Sequence, residues 1–194
     1  MNEKTNLTGI ILAGGKSSRL GTDKALLKID NKLFIEQIRD IIAPFTTEII
    51  ISSNNPNHKL INTHLLPDVY PNKGPLSGIY SGLANALNQN CLIVSCDRPQ
   101  ITAQFIQVLW NKHITTKKQI SICEINNFPE PLIGIYNKSV TELLNQELEN
   151  NRTSVIKFIY KTNYQLLNKS EFTENINWLN INTISDYNAL IAKK

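Results

Sequence analysis

Cysteine and histidine are scarce in this chain of 194 residues, and no long apolar run interrupts it. The three cysteines, Cys91, Cys96 and Cys123, form no C-x-x-C pair, and each sits in or beside an apolar segment. They read as buried thiols of a reducing compartment, not as a disulfide framework. No stretch approaches the roughly 18 apolar residues of a membrane span, and no charged-then-apolar leader opens the chain. A soluble cytoplasmic protein without membrane contact is expected. His58, His64 and His113 fall in polar surroundings with no carboxylate or thiol at ligand spacing, so no role is assigned to them.

Charge is modest too. The charged fraction is 19% and the formal net charge +4. Nucleic-acid binding would need Lys and Arg gathered on one face with aromatic residues between them. The basic pairs away from the first loop, Lys117-Lys118 and Lys193-Lys194, read as solvated surface. The charge therefore points to a small polyanionic substrate and to no nucleic acid. No repeat or low-complexity linker offers a boundary, so residues 1–194 are expected to form a single domain. Trp110 and Trp178 stand in apolar contexts and read as packing residues.

What is present is an alternation of short apolar runs with longer segments of helical period, the pattern of an α/β fold with a mainly parallel sheet. Strands are expected over Thr8–Ala13, Glu48–Ser53, Leu65–Val69 and Cys91–Ser95, with later ones near Ile120–Glu124 and Leu132–Tyr136. Helices are expected over Leu33–Ile42, Leu76–Leu87, Thr102–Trp110 and Lys138–Leu148, and after Asn182-Thr183 to about Ala192, with Thr102 as a cap.

Chemistry concentrates in the loops that follow strands, where open α/β sheets bind ligands. The first loop holds Gly14, Gly15 and Gly21 with Lys16, Arg19 and Lys24. Backbone amides there can form an anion nest, and Arg19 and Lys24 can add charge-assisted hydrogen bonds. Gly15-Lys16-Ser17 echoes a Walker A motif, but the glycine that motif needs falls on Ile10. A dinucleotide fingerprint fails at Lys16. The loop is a polyphosphate cradle of another kind.

Three further loops look loaded. Ser52, Ser53 and Asn54 follow the second strand and could meet a base or ribose, or simply make a turn. Gly74-Pro75-Leu76-Ser77-Gly78 opens a helix whose N-terminal amides favour anions, although Gly78 and Gly82 equally suit close packing at i, i+4. Asp97 stands just past an apolar strand, where a carboxylate can hold Mg²⁺ alongside water and phosphate. Asp186 is a weaker second carboxylate that falls in a helix. No Ser-His-Asp or Cys-His pairing stands out from motif context. Positioning plus charge neutralisation suits nucleotidyl transfer better than hydrolysis.

Leu12 to Gly21 with Asp23-Lys24-Ala25-Leu26-Leu27, then Gly74 to Ile79, Asp97-Arg98-Pro99, Pro131 to Tyr136 and Asn180-Ile181-Asn182-Thr183 resemble, in order, the motifs of the molybdenum cofactor guanylyltransferases. The Ala13-Gly14-Gly15 step, where related cytidylyltransferases carry Ala-Ala-Gly, leans towards guanine. The resemblance implies a three-layer Rossmann-like nucleotidyltransferase fold with a mainly parallel mixed sheet. It also implies transfer of GMP from GTP to molybdopterin-bound molybdenum cofactor with release of pyrophosphate. By the same resemblance Leu12, Ala13, Gly14 and Gly15 meet the guanine nucleotide, and Arg19 and Lys24 hold its phosphates. Ser52 and Asp68 lie near base and ribose, Asp97 binds Mg²⁺, and Gly78, Asn180 and Asn182 meet the pterin. Position 52 is Ser where the family often has Asn, and Ile184 stands where Pro commonly follows Asn-x-Asn-Thr. Transient contacts with other cofactor-biosynthesis proteins and molybdoenzyme chaperones are implied as well. A relative with a cytidylyl or sugar-phosphate substrate, and a non-catalytic nucleotide-binding protein, are the rival readings.

Overall fold

The computed structural model describes residues 6–14, 22–60, 63–172 and 180–192. Its regular elements run in the order β1 (Leu7–Leu12), β2 (Lys28–Ile29), β3 (Lys32–Leu33), α1 (Phe34–Ile42), β4 (Glu48–Ser52), β5 (His64–Leu66), α2 (Pro75–Asn85) and β6 (Asn90–Ser95). Then come α3 (Ala103–Thr116), β7 (Ile120–Ile125), β8 (Phe128–Asn137), α4 (Thr141–Glu149), α5 (Val155–Ile159), β9 (Tyr164–Leu167) and α6 (Ile184–Ala192).

Seven strands form one sheet in the order β5-β4-β1-β6-β8-β7-β9. The first four are mutually parallel, β8 runs antiparallel to β6 and β7, and β9 lies parallel to β7. Strands buried on both faces need apolar side chains at successive positions, which is why β1 carries Ile10-Ile11-Leu12 and β6 carries Cys91-Leu92-Ile93-Val94. In β1, Leu7 and Ile11 point into one cluster with Ile35, Ile38 and Ile42 of α1 and Phe105, Ile106 and Leu109 of α3. Ile10 and Leu12 point the other way, into Leu76, Ile79 and Leu83 of α2, Leu144 and Leu148 of α4, and Phe158 and Ile159 of α5. Helix, sheet and helix thus form the three layers of a Rossmann-like α/β fold with a mainly parallel mixed sheet. Among the described residues, no helix is long and apolar enough to cross a membrane.

Several boundaries differ from expectation for local reasons. β5 stops at Leu66 because Pro67 follows, leaving Val69 54% exposed outside the sheet. Ala86 turns to extended backbone, so α2 ends at Asn85 and Leu87 projects into solvent. α3 runs to Thr116, where Lys117 adopts left-handed φ and closes it. Its start is as read: Thr102 Oγ1 accepts from the Phe105 amide at 3.1 Å. β8 begins earlier, at Phe128, despite Pro129 and Pro131. That end of the strand pairs with β7 alone, because the β6 ladder takes up only Ile133 to Asn137.

The β2–β3 hairpin, α5 and β9 were not expected. Asp30 and Asn31, both at positive φ, make the hairpin turn. Beside it Ile29, Phe34, Ile181 and Leu190 form a third, small cluster, and the Tyr187 hydroxyl donates to the Lys28 carbonyl at 2.7 Å. This cluster docks α6 against the hairpin and the first turn of α1. The three cysteines are buried as expected, and burial pushes each thiol up to about 12. Trp110 packs half-buried on the α1/α3 cluster, whereas Trp178 lies outside the described residues.

Two of the histidines correct the expectation of polar surroundings. His58 and His113 are both buried. His113 Nε2 faces Asn90 Oδ1 at 3.1 Å and Nδ1 faces Ser121 Oγ at 2.7 Å, tying α3 to β6 and β7.

Candidate active site

Parallel pairing puts Leu12 of β1 in register with Ser52 of β4 and Ser95 of β6, so three strands end level. The ladders continue one step further, with the Ala13 amide donating to the Ser52 carbonyl and the Cys96 amide to the Leu12 carbonyl, each at 3.1 Å. Ala13-Gly14, Ser53-Asn54-Asn55 and Asp97 therefore leave the sheet at one edge. A cleft of about 630 Å³ opens there, lined by Leu12, Ala13, Gly14, Asp23, Ser52 to Asn55, Asp68, Asn72, Gly74, Pro75, Gly78, Ser95 and Leu132. That volume suits a ligand of nucleotide size.

The α2 side of the cleft is shaped by its glycines and hydroxyls. Gly74 caps the helix at φ +68°, a conformation that disfavours any side chain, and Pro75 opens the first turn. A Cβ on Gly78 would stand 2.8 Å from Ser52 Oγ and 3.1 Å from Leu12 Cδ2, so the helix seats directly on the ends of β1 and β4. Buried Ser77 and Ser81 accept from the Tyr70 and Val69 amides at 3.1 and 2.9 Å, pinning the preceding loop to the helix. This loop carries Asp68, whose Oδ1 accepts from Ser52 Oγ at 2.9 Å. Burial raises the Asp68 pKa above the usual carboxylate value, and the Ser52 hydrogen bond only partly opposes it.

A second group gathers beside the cleft. Lys24 Nζ donates to Asn182 Oδ1 at 2.6 Å, and the Ile181 amide donates to the Asp97 carbonyl at 3.2 Å. Asp97, Asp23 and Lys24 all lie near enough to the buried Cys96 thiol to act on it electrostatically. Asp97 itself is half-buried at the end of β6. Arg98, next to it, is buried in an ion pair with Glu130, and Glu130 also accepts from the amide of the cleft residue Leu132 at 3.2 Å.

The expected site residues thus fall into two adjoining groups. Leu12, Ala13, Gly14, Ser52, Asp68 and Gly78 share the cleft, while Lys24, Asp97 and Asn182 meet at its rim, with Asn180 exposed two residues before. Gly15 and Arg19, with the rest of 15–21, lie outside the described residues. Gly78 stands with Ser52 and Asp68, the residues expected to meet the nucleotide. Asp186 is taken up as a helix cap: its Oδ2 accepts from the Asn182 and Thr183 amides, which lowers its pKa. It orients Asn182 instead of presenting a second metal carboxylate.

Asp23, Asn55, His58, Arg98 and Glu130 went unassigned in the sequence. Asp23 and Arg98 sit inside recognised motifs, but their partners come from distant segments that no local spacing betrays. Asp23, His58 and Ser53 fall in line, His58 Nδ1 lying 2.8 Å from Ser53 Oγ and Nε2 3.3 Å from Asp23 Oδ2. The Ser53 hydroxyl is buried and also accepts from the Asn55 amide at 3.0 Å, so the chain is a tether and not an exposed nucleophile.

The MobA-like NTP transferase domain model matches residues 9–165. The chain belongs to that family. A protein from Clostridium perfringens named as a probable molybdenum cofactor guanylyltransferase is 38% identical over 191 residues, covering 95% of this chain and 96% of the relative. One of the same name from Flavobacterium johnsoniae is 35% identical over 184 residues, again covering 95% and 96%. The crystal structure of molybdopterin-guanine dinucleotide biosynthesis protein A from Archaeoglobus fulgidus superposes with a TM-score of 0.81 at 18% identity, covering 96% of this chain and all of that one. As a member of this family, the chain is a nucleotidyltransferase.

Proposed function

We propose that the chain transfers GMP from GTP to molybdopterin-bound molybdenum cofactor, forming the molybdopterin guanine dinucleotide cofactor and releasing pyrophosphate. The observation that carries this reading is the meeting of Lys24 with Asn182 and of Asp97 with Ile181 beside a cleft of nucleotide size. It brings the Lys24 ammonium and the residue that carries the Asp97 carboxylate to the segment of Asn182 beside that cleft, which supports a role for both charges in transfer. The names of the relatives in Clostridium perfringens and Flavobacterium johnsoniae support the choice of base and acceptor.

In this reading the nucleoside sits in the cleft against Leu12, Ala13 and Gly14, with Ser52 and Asp68 towards base and ribose. An oxygen of the acceptor's terminal phosphate attacks the α-phosphorus, the bond to the β-phosphate breaks, and pyrophosphate leaves. Lys24 and Arg19 neutralise the charge that develops on the phosphates. Asp97, half-buried just past the end of β6, would hold Mg²⁺, because one or two carboxylates plus waters and phosphates is how that ion is commonly held. When bound, the ion would supply charge neutralisation at the phosphates. The pterin end would reach Asn180 and Asn182. The expected setting is the cytoplasm, with transient contacts to cofactor-biosynthesis proteins and molybdoenzyme chaperones.

Pyrophosphate release from each nucleoside triphosphate, with Mg²⁺ and candidate acceptors, tests the reading. Release from GTP only when molybdopterin or its molybdenum form is present is the expected result. Reaction of CTP with a sugar or polyol phosphate, and none of GTP with molybdopterin, overturns it.

A further inference from the structure

His58 belongs to no motif, yet its ring is wholly buried in the 3₁₀ segment Pro56–Leu60 that follows the cleft wall Ser52 to Asn55. Buried imidazole nitrogens need partners. Nδ1 meets Ser53 Oγ at 2.8 Å, while Nε2 faces Asp23 Oδ2 at 3.3 Å, close enough for electrostatic attraction but short of a directed hydrogen bond. A carboxylate only accepts, so Nε2 carries the hydrogen and Nδ1 receives the Ser53 hydroxyl proton. The same Asp23 oxygen accepts from Asn55 Nδ2 at 2.6 Å, and its other oxygen accepts from the Ala25 amide at 3.0 Å.

One carboxylate is therefore gripped from two sides. Asn55 and His58 hold it from the β4 loop, and Ala25 holds it from the short 3₁₀ turn Lys24–Leu26 that it caps. Lys24 is the next residue along. A lysine is a point charge on a flexible stem, so where its ammonium can act depends on how firmly its backbone is placed. The ring, with no room to move, works as a rigid spacer between the nucleotide wall and that backbone.

We propose that His58 is a positioning residue for nucleotidyl transfer. Through Asp23 it sets the backbone that carries Lys24 against the Ser53 to Asn55 wall. The proposal rests on the reading that Lys24 neutralises phosphate charge during transfer.

A double-mutant cycle tests it. His58→Leu lowers kcat about tenfold while KM for GTP changes by less than about threefold, and in a Lys24→Ala background the same substitution lowers kcat by less than about twofold, because its route is already gone. His58→Gln keeps a side-chain N–H within reach of Asp23 and recovers at least about half of kcat. Asn55→Ala, at a half-buried position, loses kcat in the same direction and guards against a His58 variant that fails to fold. Hydrogen exchange reads the tether without catalysis: the amides of Ala25, Leu26 and Leu27 exchange faster in His58→Leu and Asn55→Ala, while those of Ile10 and Ile11 stay protected. Equal loss of kcat in both Lys24 backgrounds, or unchanged exchange at residues 25–27, overturns the proposal. A wild-type protein that releases no pyrophosphate from any nucleotide overturns the transferase reading instead, and the exchange arm then decides on the tether alone.

Discussion

Lys24 and Asp97 carry opposite charges to one rim of the cleft, and each reaches it by a different route. Asp97 is carried by the end of β6, and Lys24 by a turn capped through Asp23. Neither needs covalent chemistry to be useful, since in-line transfer asks for fixed charge where charge develops. Asp97→Ala and Lys24→Ala are each expected to lower turnover at least tenfold, about 1.4 kcal/mol of transition-state stabilisation. GTP binding should fall less, because the cleft walls at Leu12 to Gly14, Ser52 and Asp68 remain. Steady-state pyrophosphate release beside a GTP titration separates the two effects. Undiminished turnover in either variant removes that side chain from the mechanism.

Among the elements, α2 bears most on the shape of the site. Gly78 lets it lie on Ser52 and Leu12, and Gly82, one turn later, lets it lie on Ile10. A Cβ at position 82 would come within 2.6 Å of Ile10 Cγ2 and 2.7 Å of its Cδ1, and Ile10 has no exposed surface into which to retreat. Alanine gains about 1 kcal/mol of helix propensity over glycine, against an overpacking penalty of about 1–3 kcal/mol. Gly82→Ala should therefore destabilise by up to about 2 kcal/mol in urea unfolding; a more stable variant would show that the helix can lift off β1 freely. The core strands and the helices between them were readable because apolar runs and 3.6-residue periods are local signals. The hairpin of β2 and β3 was not, since two-residue strands carry no period and only the Asp30-Asn31 turn marked it. β9 was missed because three of its four residues are half-buried. At the site, motif residues were readable one by one, whereas the Asp23–His58 and Arg98–Glu130 pairings exist only once β1, β4, β6 and β8 stand side by side.

On the scale of the whole molecule, His113 joins three elements through a neutral ring. Asn90 Oδ1 also accepts from Asn137 Nδ2 at 2.8 Å, and Ser121 Oγ also accepts from Gln165 Nε2 at 2.7 Å. Nε2 therefore donates to Asn90, and Nδ1 accepts the Ser121 proton. Burial lowers the His113 pKa from 6.5 to about 4. Between those values the unfolded chain binds a proton that the folded chain refuses. Stability from this group is complete above pH 6.5 and drains away as the pH falls towards 4. From the upper end of that window down to about pH 5 the loss is about 2 kcal/mol. Urea midpoints recorded across the window should fall accordingly, and His113→Gln should flatten the slope. A wild-type slope no steeper than the variant's would mean that the ring is protonated in the fold.

The hydrogen bond from Lys24 to Asn182 joins residues 158 positions apart. Contacts between distant segments form late, because the chain must close a long loop before they reward it. The Asn182 side of the rim hangs on α6, which is held to the hairpin by the small cluster of Ile29, Phe34, Ile181 and Leu190. A refolding chain should accordingly regain its circular dichroism before it regains turnover, with competence arriving as a separate, slower phase. If the two return together, the last helix finds its berth as fast as the sheet forms.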